Sequence, residues 1–328
     1  MPARHRAFLI IAALGCFALG SLLGALMIGA VQIDARDVFS ALMGRGEGQF
    51  DSIVLHLRLP RALAGFACGG LLALSGALLQ VLLRNPLADP YVLGISGGAG
   101  VGAILAILLG LGAAGISGSA FTGALCAMVL VFSLARGDGS WTQTRLLLTG
   151  VIVASGCGAF IALMLSIAPD HQLHGMLFWL MGDLSQANAP KWALVVLAII
   201  LLFILPFARE LNLLTHGMDV AHSLGVQVKR LRWSVYVAAS LATAIAVTQA
   251  GSIGFVGLVV PHLVRLAIGN DQRLLLPAAV LAGGGGLVIA DTLARTVIAP
   301  QQLPVGVLTA MIGVPVFLFL LTRDTRGR

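Results

Sequence analysis

Long apolar runs alternate along the chain with short polar links, and ten runs approach or exceed the length that crosses a bilayer. They lie at about 8–31, 61–83, 92–111, 118–135, 146–167, 192–208, 231–250, 253–268, 275–297 and 305–321. A spanning helix takes roughly 20 mostly apolar residues, and in lipid a helix satisfies its own backbone hydrogen bonds. The pattern therefore predicts an all-α polytopic membrane protein, a single domain over residues 1–328 with about ten transmembrane helices. Gly251, Gly254, Gly257 and Pro261 break up the eighth run, which is expected to be part loop and part short helix. The first run follows Arg4-His5-Arg6 and is too long for a signal-peptide core of roughly 7–15 residues. It reads as a retained first helix.

Three links are longer than the rest, at 32–60, 169–190 and 209–230. The last reads RELNLLTHGMDVAHSLGVQVKR. Residues 218–226 predict a short helix. Asp219 near its start complements the helix dipole, and Gly225 near its end allows a left-handed cap. Met218, Val220, Ala221 and Leu224 form one small apolar face. Such a helix can lie on the membrane or dock into a partner, and the residues alone leave both open.

Composition supports lipid as the solvent. Hydrophobic residues make up 59% of the chain and charged residues 10%, with a mean hydropathy of +1.00. Soluble domains carry about 25% charged residues, so this chain could not cover a water-facing surface. Its 41 glycines fit closely packed membrane helices. The net charge of +7 matters through its placement. With the N-terminus inside and ten crossings, 14 of the 20 basic residues, Arg326 and Arg328 among them, fall on the inner side. Basic residues favour the cytoplasmic side, so both termini are expected in the cytoplasm. No basic run is interleaved with aromatics, and nucleic acid is not an expected partner.

Candidate chemistry is sparse. A phosphate-cradling loop ends in Gly-Lys-Ser/Thr, whereas the two lysines, Lys191 and Lys229, follow Pro190 and Val228. The chain cannot hydrolyse ATP. Cys16, Cys68, Cys126 and Cys157 stand apart in apolar runs, and His171 and His174 have no Cys or Glu near enough to complete a metal site. Residues 98–103 match a dinucleotide GxGxxA pattern but lack the acidic residue about 20 positions on; close helix packing is the better reading. Gly65 and Gly69 in GxxxG spacing, and the run 283–286, also read as packing surfaces. Asp291 and Arg295 are four apart and can pair on one helix face. The other spans hold almost no ionisable residues, which argues against an ion-coupled secondary transporter.

Residues 57–98 read LRLPRALAGFACGGLLALSGALLQVLLRNPLADPYVLGISGG. The RLPR of 58–61, the SGxxxQ of 75–80 and the NPLAxPxxLGxS of 85–96 closely resemble the permease family that imports iron-siderophores, haem and vitamin B12 with a partner ATPase (FecCD-type permeases). Gly97-Gly98 departs slightly from that pattern. The resemblance continues through Thr142 to Leu148, the FWLMG of 178–182, the GSIGFVGL of 251–258 with Pro261-His262, then Asp291, Ala294, Arg295, the LPVG of 303–306 and the GVP of 313–315. It implies a vitamin B12-importer-permease-like bundle in the bacterial inner membrane, functioning as a homodimer or pseudo-dimer. A cytoplasmic ABC ATPase dimer, binding ATP and Mg, and a periplasmic substrate-binding protein are the implied partners, besides membrane lipid. This chain itself binds no cofactor under that reading. The resemblance further implies that Met218, Asp219, Val220, Ala221, Leu224 and Gly225 couple to the ATPase. It assigns Arg58, Arg61 and Arg295 to binding-protein docking, and Asn85, Leu87, Thr142, Gln143 and Thr144 to a cytoplasmic gate. The expected cargo is an iron chelate, siderophore or haem, with cobalamin as the alternative.

Overall fold

A computed structural model describes residues 2–45, 49–136, 142–185, 187 and 190–324; of residues 2–6, 49, 321, 323 and 324 only the helix is described. Arg326 and Arg328, counted above on the inner side, lie outside the described residues. In chain order the helices are α1 (Pro2–Met27), α2 (Ala35–Leu42), α3 (Gln49–Ser52), α4 (Leu59–Leu82), α5 (Ile95–Leu108), α6 (Ala113–Ala135), α7 (Gln143–Ile167) and α8 (Asp170–Met181). There follow α9 (Pro190–Ile204), α10 (Ala208–Thr215), α11 (Met218–Ser223), α12 (Val228–Ala250), α13 (Val256–Ile268), α14 (Gln272–Ala294) and α15 (Val305–Asp324). A π-helical stretch, Ile53–Arg58, leads into α4, and 3₁₀ turns occupy Pro90–Leu93 and Leu205–Phe207.

Each of the ten predicted runs carries a helix. Among the described residues seven helical stretches are long and apolar enough to cross a membrane, and α5, α13 and Val305–Leu320 are shorter apolar helices. The chain is a multi-pass membrane protein. The longer links hold more structure than their polarity implies. Link 169–190 contains α8, which carries both His171 and His174, and link 32–60 contains α2, whose Val38 and Ala41 are buried while Phe39 is exposed.

Helix α4 is the axis of the fold. From Ala62 to Leu82 nearly every residue is buried, against α14, α12, α13 and α9. Small residues make this possible by letting backbones meet. An ideal Cβ on Gly69 would stand 2.2 Å from the Gly283 carbonyl oxygen, and one on Gly76 1.8 Å from that of Gly257. Ala73 and Gly69 in turn crowd Gly283, and Phe66 crowds Gly284. The glycine run of α14 is thus a packing surface, as its sequence implies. The α5–α6 contact uses the same device: Gly98 faces the Gly123 carbonyl and Gly102 that of Ser119.

Polar groups inside the bundle bridge helices. The Ser75 hydroxyl donates to the Ala239 carbonyl at 2.8 Å and lies 2.7 Å from the Thr243 hydroxyl, and Gln80 Nε2 donates to the Leu258 carbonyl at 3.1 Å. Apolar packing is no different from lipid in its solvation, so such bonds and close contacts hold membrane helices together.

The eighth run divides as expected. Residues 251–255 are not helical, with Gly251 at φ +66° and Phe255 at φ +68°. Helix α13 follows, about 20 Å long at 1.5 Å per residue, short of the roughly 30 Å hydrocarbon core. Non-helical backbone survives at membrane depth only where protein satisfies it. Here the Tyr91 hydroxyl does so, accepting from the Ile253 N–H at 2.8 Å and donating to the Ile253 carbonyl at 2.9 Å.

Gly69→Ala should therefore destabilise the detergent-solubilised protein by about 1–3 kcal/mol, the usual cost of forcing extra carbon into a packed core. Alanine is intrinsically the better helix former by about 1 kcal/mol, so a loss isolates the clash. Gly286→Ala, where nothing lies within 4 Å of the new methyl, should leave the melting temperature equal or higher. Equal melting of the two variants in size-exclusion thermal scans contradicts the close α4–α14 approach.

Candidate docking faces and gate

Helix α11 stands at the end of the bundle where α10 turns into α12. Its six residues are held from both sides. Asn212 at the end of α10 donates from Nδ2 to Asp271 at 2.9 Å, and its Oδ1 accepts the Gln272 N–H at 2.8 Å, which pins α10 to the start of α14. After α11 the chain reverses through Gly225 at φ +83°, with the Val226 N–H donating to the Ala221 carbonyl at 3.0 Å. Asp219 sits in the first turn, as predicted. The predicted apolar face divides: Ala221 is buried and Met218 packs on the core, while Val220 and Leu224 are 44% and 61% exposed. Two apolar side chains are thus presented outward from a rigidly seated turn.

The residues expected to form a gate come together near the same end. The Asn85 carboxamide oxygen accepts the Leu87 N–H at 2.9 Å, closing the turn after α4, and Leu87 is exposed. Thr142 caps α7 by accepting the Arg145 N–H at 3.2 Å. Gln143 reaches across from α7 to donate to the Leu82 carbonyl at 3.1 Å, tying the start of α7 to the end of α4. Thr144 is exposed beside it. In the same link Asp89 caps the 3₁₀ turn by accepting the Tyr91 N–H at 2.7 Å; burial pushes its carboxyl up to about 6, that hydrogen bond opposing.

At the opposite end of α4 the three arginines meet, in unequal roles. Arg61 and Asp291 form a two-pronged ion pair, Nε to Oδ2 at 2.9 Å and Nη2 to Oδ1 at 2.8 Å, and Arg61 Nη1 also donates to Gln302 at 3.0 Å. Asp291 therefore takes Arg61 on α4 rather than Arg295 on its own helix, because the guanidinium fork matches both carboxylate oxygens. Arg295 turns to the Ala25 carbonyl at 2.5 Å. Arg58 is only 6% exposed. It donates to the carbonyls of Leu26 at 2.7 Å, Met27 at 3.0 Å and Val31, at the end of α1 and just beyond it. To reach a partner, Arg58 would have to surrender those carbonyls; Arg61 and Arg295 are the partly open members of the set.

The family model described as the FecCD transport family matches residues 16–323, nearly the whole chain. The chain belongs to the FecCD transport family. The relatives of this FecCD permease include the hemin transport system permease HmuU of Yersinia pestis, 40% identical over 319 residues that cover 93% of each chain. Also similar are the cobalamin import system permease BtuC of Halobacterium salinarum, 44% identical over 84% of this chain and 74% of that one, and the permease YvrB of Bacillus subtilis, 40% identical over 88% and 84%. A solved structure described as an inward-facing conformation of a metal-chelate type ABC transporter superposes with a TM-score of 0.84 at 30% identity, covering 96% of this chain and 99% of that one. The protein is accordingly the membrane permease of an ATP-binding-cassette importer. It works with a binding protein and with an ATPase that hydrolyses the ATP.

In this FecCD permease, motifs far apart in sequence converge on the unwound segment. An ideal Cβ on Gly251 would lie 2.1 Å from the Trp179 carbonyl oxygen, and one on Gly306 2.1 Å from that of Met181. The Ser96 and Ser252 hydroxyls are 2.7 Å apart, and the Asp183 N–H donates to the Ala250 carbonyl at 2.8 Å. Pro261 removes the N–H that would bind the Gly257 carbonyl, the atom that approaches Gly76. Sequence reasoning passed over Tyr91, Ser252 and Gln80; the only signal for them was their place inside the quoted motifs.

Tyr91→Phe should leave both polar groups of Ile253 without their partner, at a cost of about 1–3 kcal/mol. The expected readout is a lower melting temperature in detergent with unchanged membrane insertion. Wild-type stability in this variant would mean that the segment is satisfied by other groups.

Proposed function

We propose that the chain forms the translocation path for an iron chelate, siderophore or haem, working as a homodimer in the bacterial inner membrane with both termini in the cytoplasm. The observation that carries the mechanism is α11. Val220 and Leu224 project from a helix anchored by buried Ala221, at the end of the bundle where the basic asymmetry puts the cytoplasm. A short helix that is fixed on one side and apolar on the other can pass a partner's movement to the membrane domain. The gate link through Gln143 and Leu82 lies at the same end, so movement of α11 and α10 has a short route to it. On the far face, Arg61 and Arg295 offer cations to carboxylates on a periplasmic binding protein, and Arg58 holds the end of α1 behind them. The alternative, snorkelling to lipid headgroups, fits Arg61 poorly because Asp291 and Gln302 already orient it.

A second copy has a surface to meet. Helix α7 exposes Ile152, Ser155 and Leu163, and its Gly156 and Gly158 have nothing within 4 Å. Unfilled small residues on a membrane helix favour close approach by another helix. The iron-chelate reading draws on the hemin permease, whose likeness runs over 93% of both chains. Cobalamin is the second reading, favoured by the 44% identity to a cobalamin permease.

The two docking faces should fail separately. Leu224→Asp places a charge in a dry contact at a cost of about 1–3 kcal/mol or more. It should abolish co-purification of the ATPase while binding-protein affinity for the permease in lipid discs stays at the wild-type level. Arg295→Glu should do the reverse, keeping the ATPase but lowering binding-protein affinity and its sensitivity to salt. If either variant behaves as wild type in the assay of its own face, that face is wrongly assigned.

A further inference from the structure

A pocket of about 960 Å³ opens beside α11, where α6 ends and α12 begins. It is lined by Arg136, Lys229, Arg230 and Arg232 around an apolar floor that includes Phe132 and Trp233. Among the described residues no Asp or Glu lines it, and no carboxylate lies within ion-pair distance of Arg136 or Lys229. Arg230 is shared with a neighbouring recess that holds Glu210, so Arg136 and Lys229 are the cleaner cations. The first turn of α12 contributes in the same sense. It contains no acid, its N-cap Gln227 makes no side-chain cap, and the positive end of a 23-residue helix faces the pocket.

The apolar part is equally specific. Phe132 and Trp233 pack with ring centroids 4.5 Å apart and planes tilted by 47°, and Trp233 is 44% exposed. Val129, one turn before Phe132 on the same side of α6, is exposed too, and that helix is apolar from there back to its start. A site lined by cations, the first turn of a helix and an aromatic pair, with an apolar helix side running on from it, fits one ligand chemistry: a phosphate diester carrying acyl chains. We infer that this pocket holds the headgroup of an anionic phospholipid, with its chains along α6. Basic pockets between helices on the cytoplasmic side suit anionic headgroups. The inference rests on the proposed orientation for its placement in the cytoplasmic leaflet, but the lipid preference itself does not. An acidic stretch of the ATPase could meet the same cations but would leave the apolar helix side uncovered.

The full-length permease in neutral detergent, mixed with equal phosphatidylglycerol and phosphatidylcholine, should retain phosphatidylglycerol in excess by native mass spectrometry. Arg136→Gln with Lys229→Gln should lower that excess by about fivefold per cation removed, the worth of one Lys or Arg near an anionic surface. Arg136→Lys should keep it, which guards against a variant that merely misfolds. Wild type without preference, or a double variant with the preference intact, overturns the inference. So does displacement of the lipid by inorganic phosphate at equal concentration, which would make the site one for a free anion. Loss of the ATPase from the double variant with lipid selectivity unchanged would assign the cations to protein docking instead. A reversed orientation leaves the lipid readout unchanged, so the two failures are separable.

Discussion

Everything in this bundle depends on α4 being surrounded by protein along almost its whole length. A helix in lipid gains nothing by exchanging lipid tails for side chains of equal apolarity, so its burial must come from contact that lipid cannot match. Backbone approach supplies it. Gly69 against Gly283 and Gly76 against Gly257 bring carbonyl oxygens to where a methyl group would otherwise sit. Ser75 and Gln80, spaced five apart on the same helix, then fix which neighbours those are: α12 through Ala239 and Thr243, α13 through Leu258.

That central packing is also what permits two short helices. Helices α5 and α13 fall short of a full crossing and are entered through irregular backbone, the 3₁₀ turn at Pro90–Leu93 and the non-helical 251–255 segment. One tyrosine and a pair of serines serve both stretches, because each stretch is the other's neighbour. Broken helices in a membrane are a place where small rearrangements are possible without exposing backbone to lipid. In this permease the breaks lie between the ion-paired end of α4 and the end that carries α11, where a change at one face has to pass to reach the other.

The fold was legible in the sequence to a large extent, and for physical reasons. Lipid imposes one length and one solvation rule, so ten apolar runs translate directly into helices, and the GxIG interruption marks the eighth as broken. What composition hid were helices outside the spans. Helix α8 hides in a link that reads as polar around Asp170 and His171, and α2 shows itself only through the burial of Val38 and Ala41. Sites were less legible than elements. Arg58, Arg61 and Arg295 carry the same charge at the same end, and nothing in their spacing tells that Arg58 caps α1, that Arg61 takes Asp291, or that Arg295 turns to Ala25. Those choices are made by helix rotation, which apolar periodicity leaves loose when a helix is apolar all round. Helix α11 was legible as an element because the aqueous end of the bundle restores the usual rules, an acid at the start and a left-handed glycine after the end, but the predicted single apolar face divides, with Ala221 buried and Val220 and Leu224 exposed.

The central claim is that this membrane bundle moves a chelate only when an ATPase acts on its α11 end. The direct measurement is uptake into proteoliposomes holding the permease and its ATPase, with the binding protein outside, scored for labelled ferric siderophore, haem and cobalamin. ATP enclosed at the α11 side should drive accumulation of an iron chelate, with cobalamin near background, and a catalytically dead ATPase should stop it. Uptake that persists without the ATPase under a sodium or proton gradient would contradict the account.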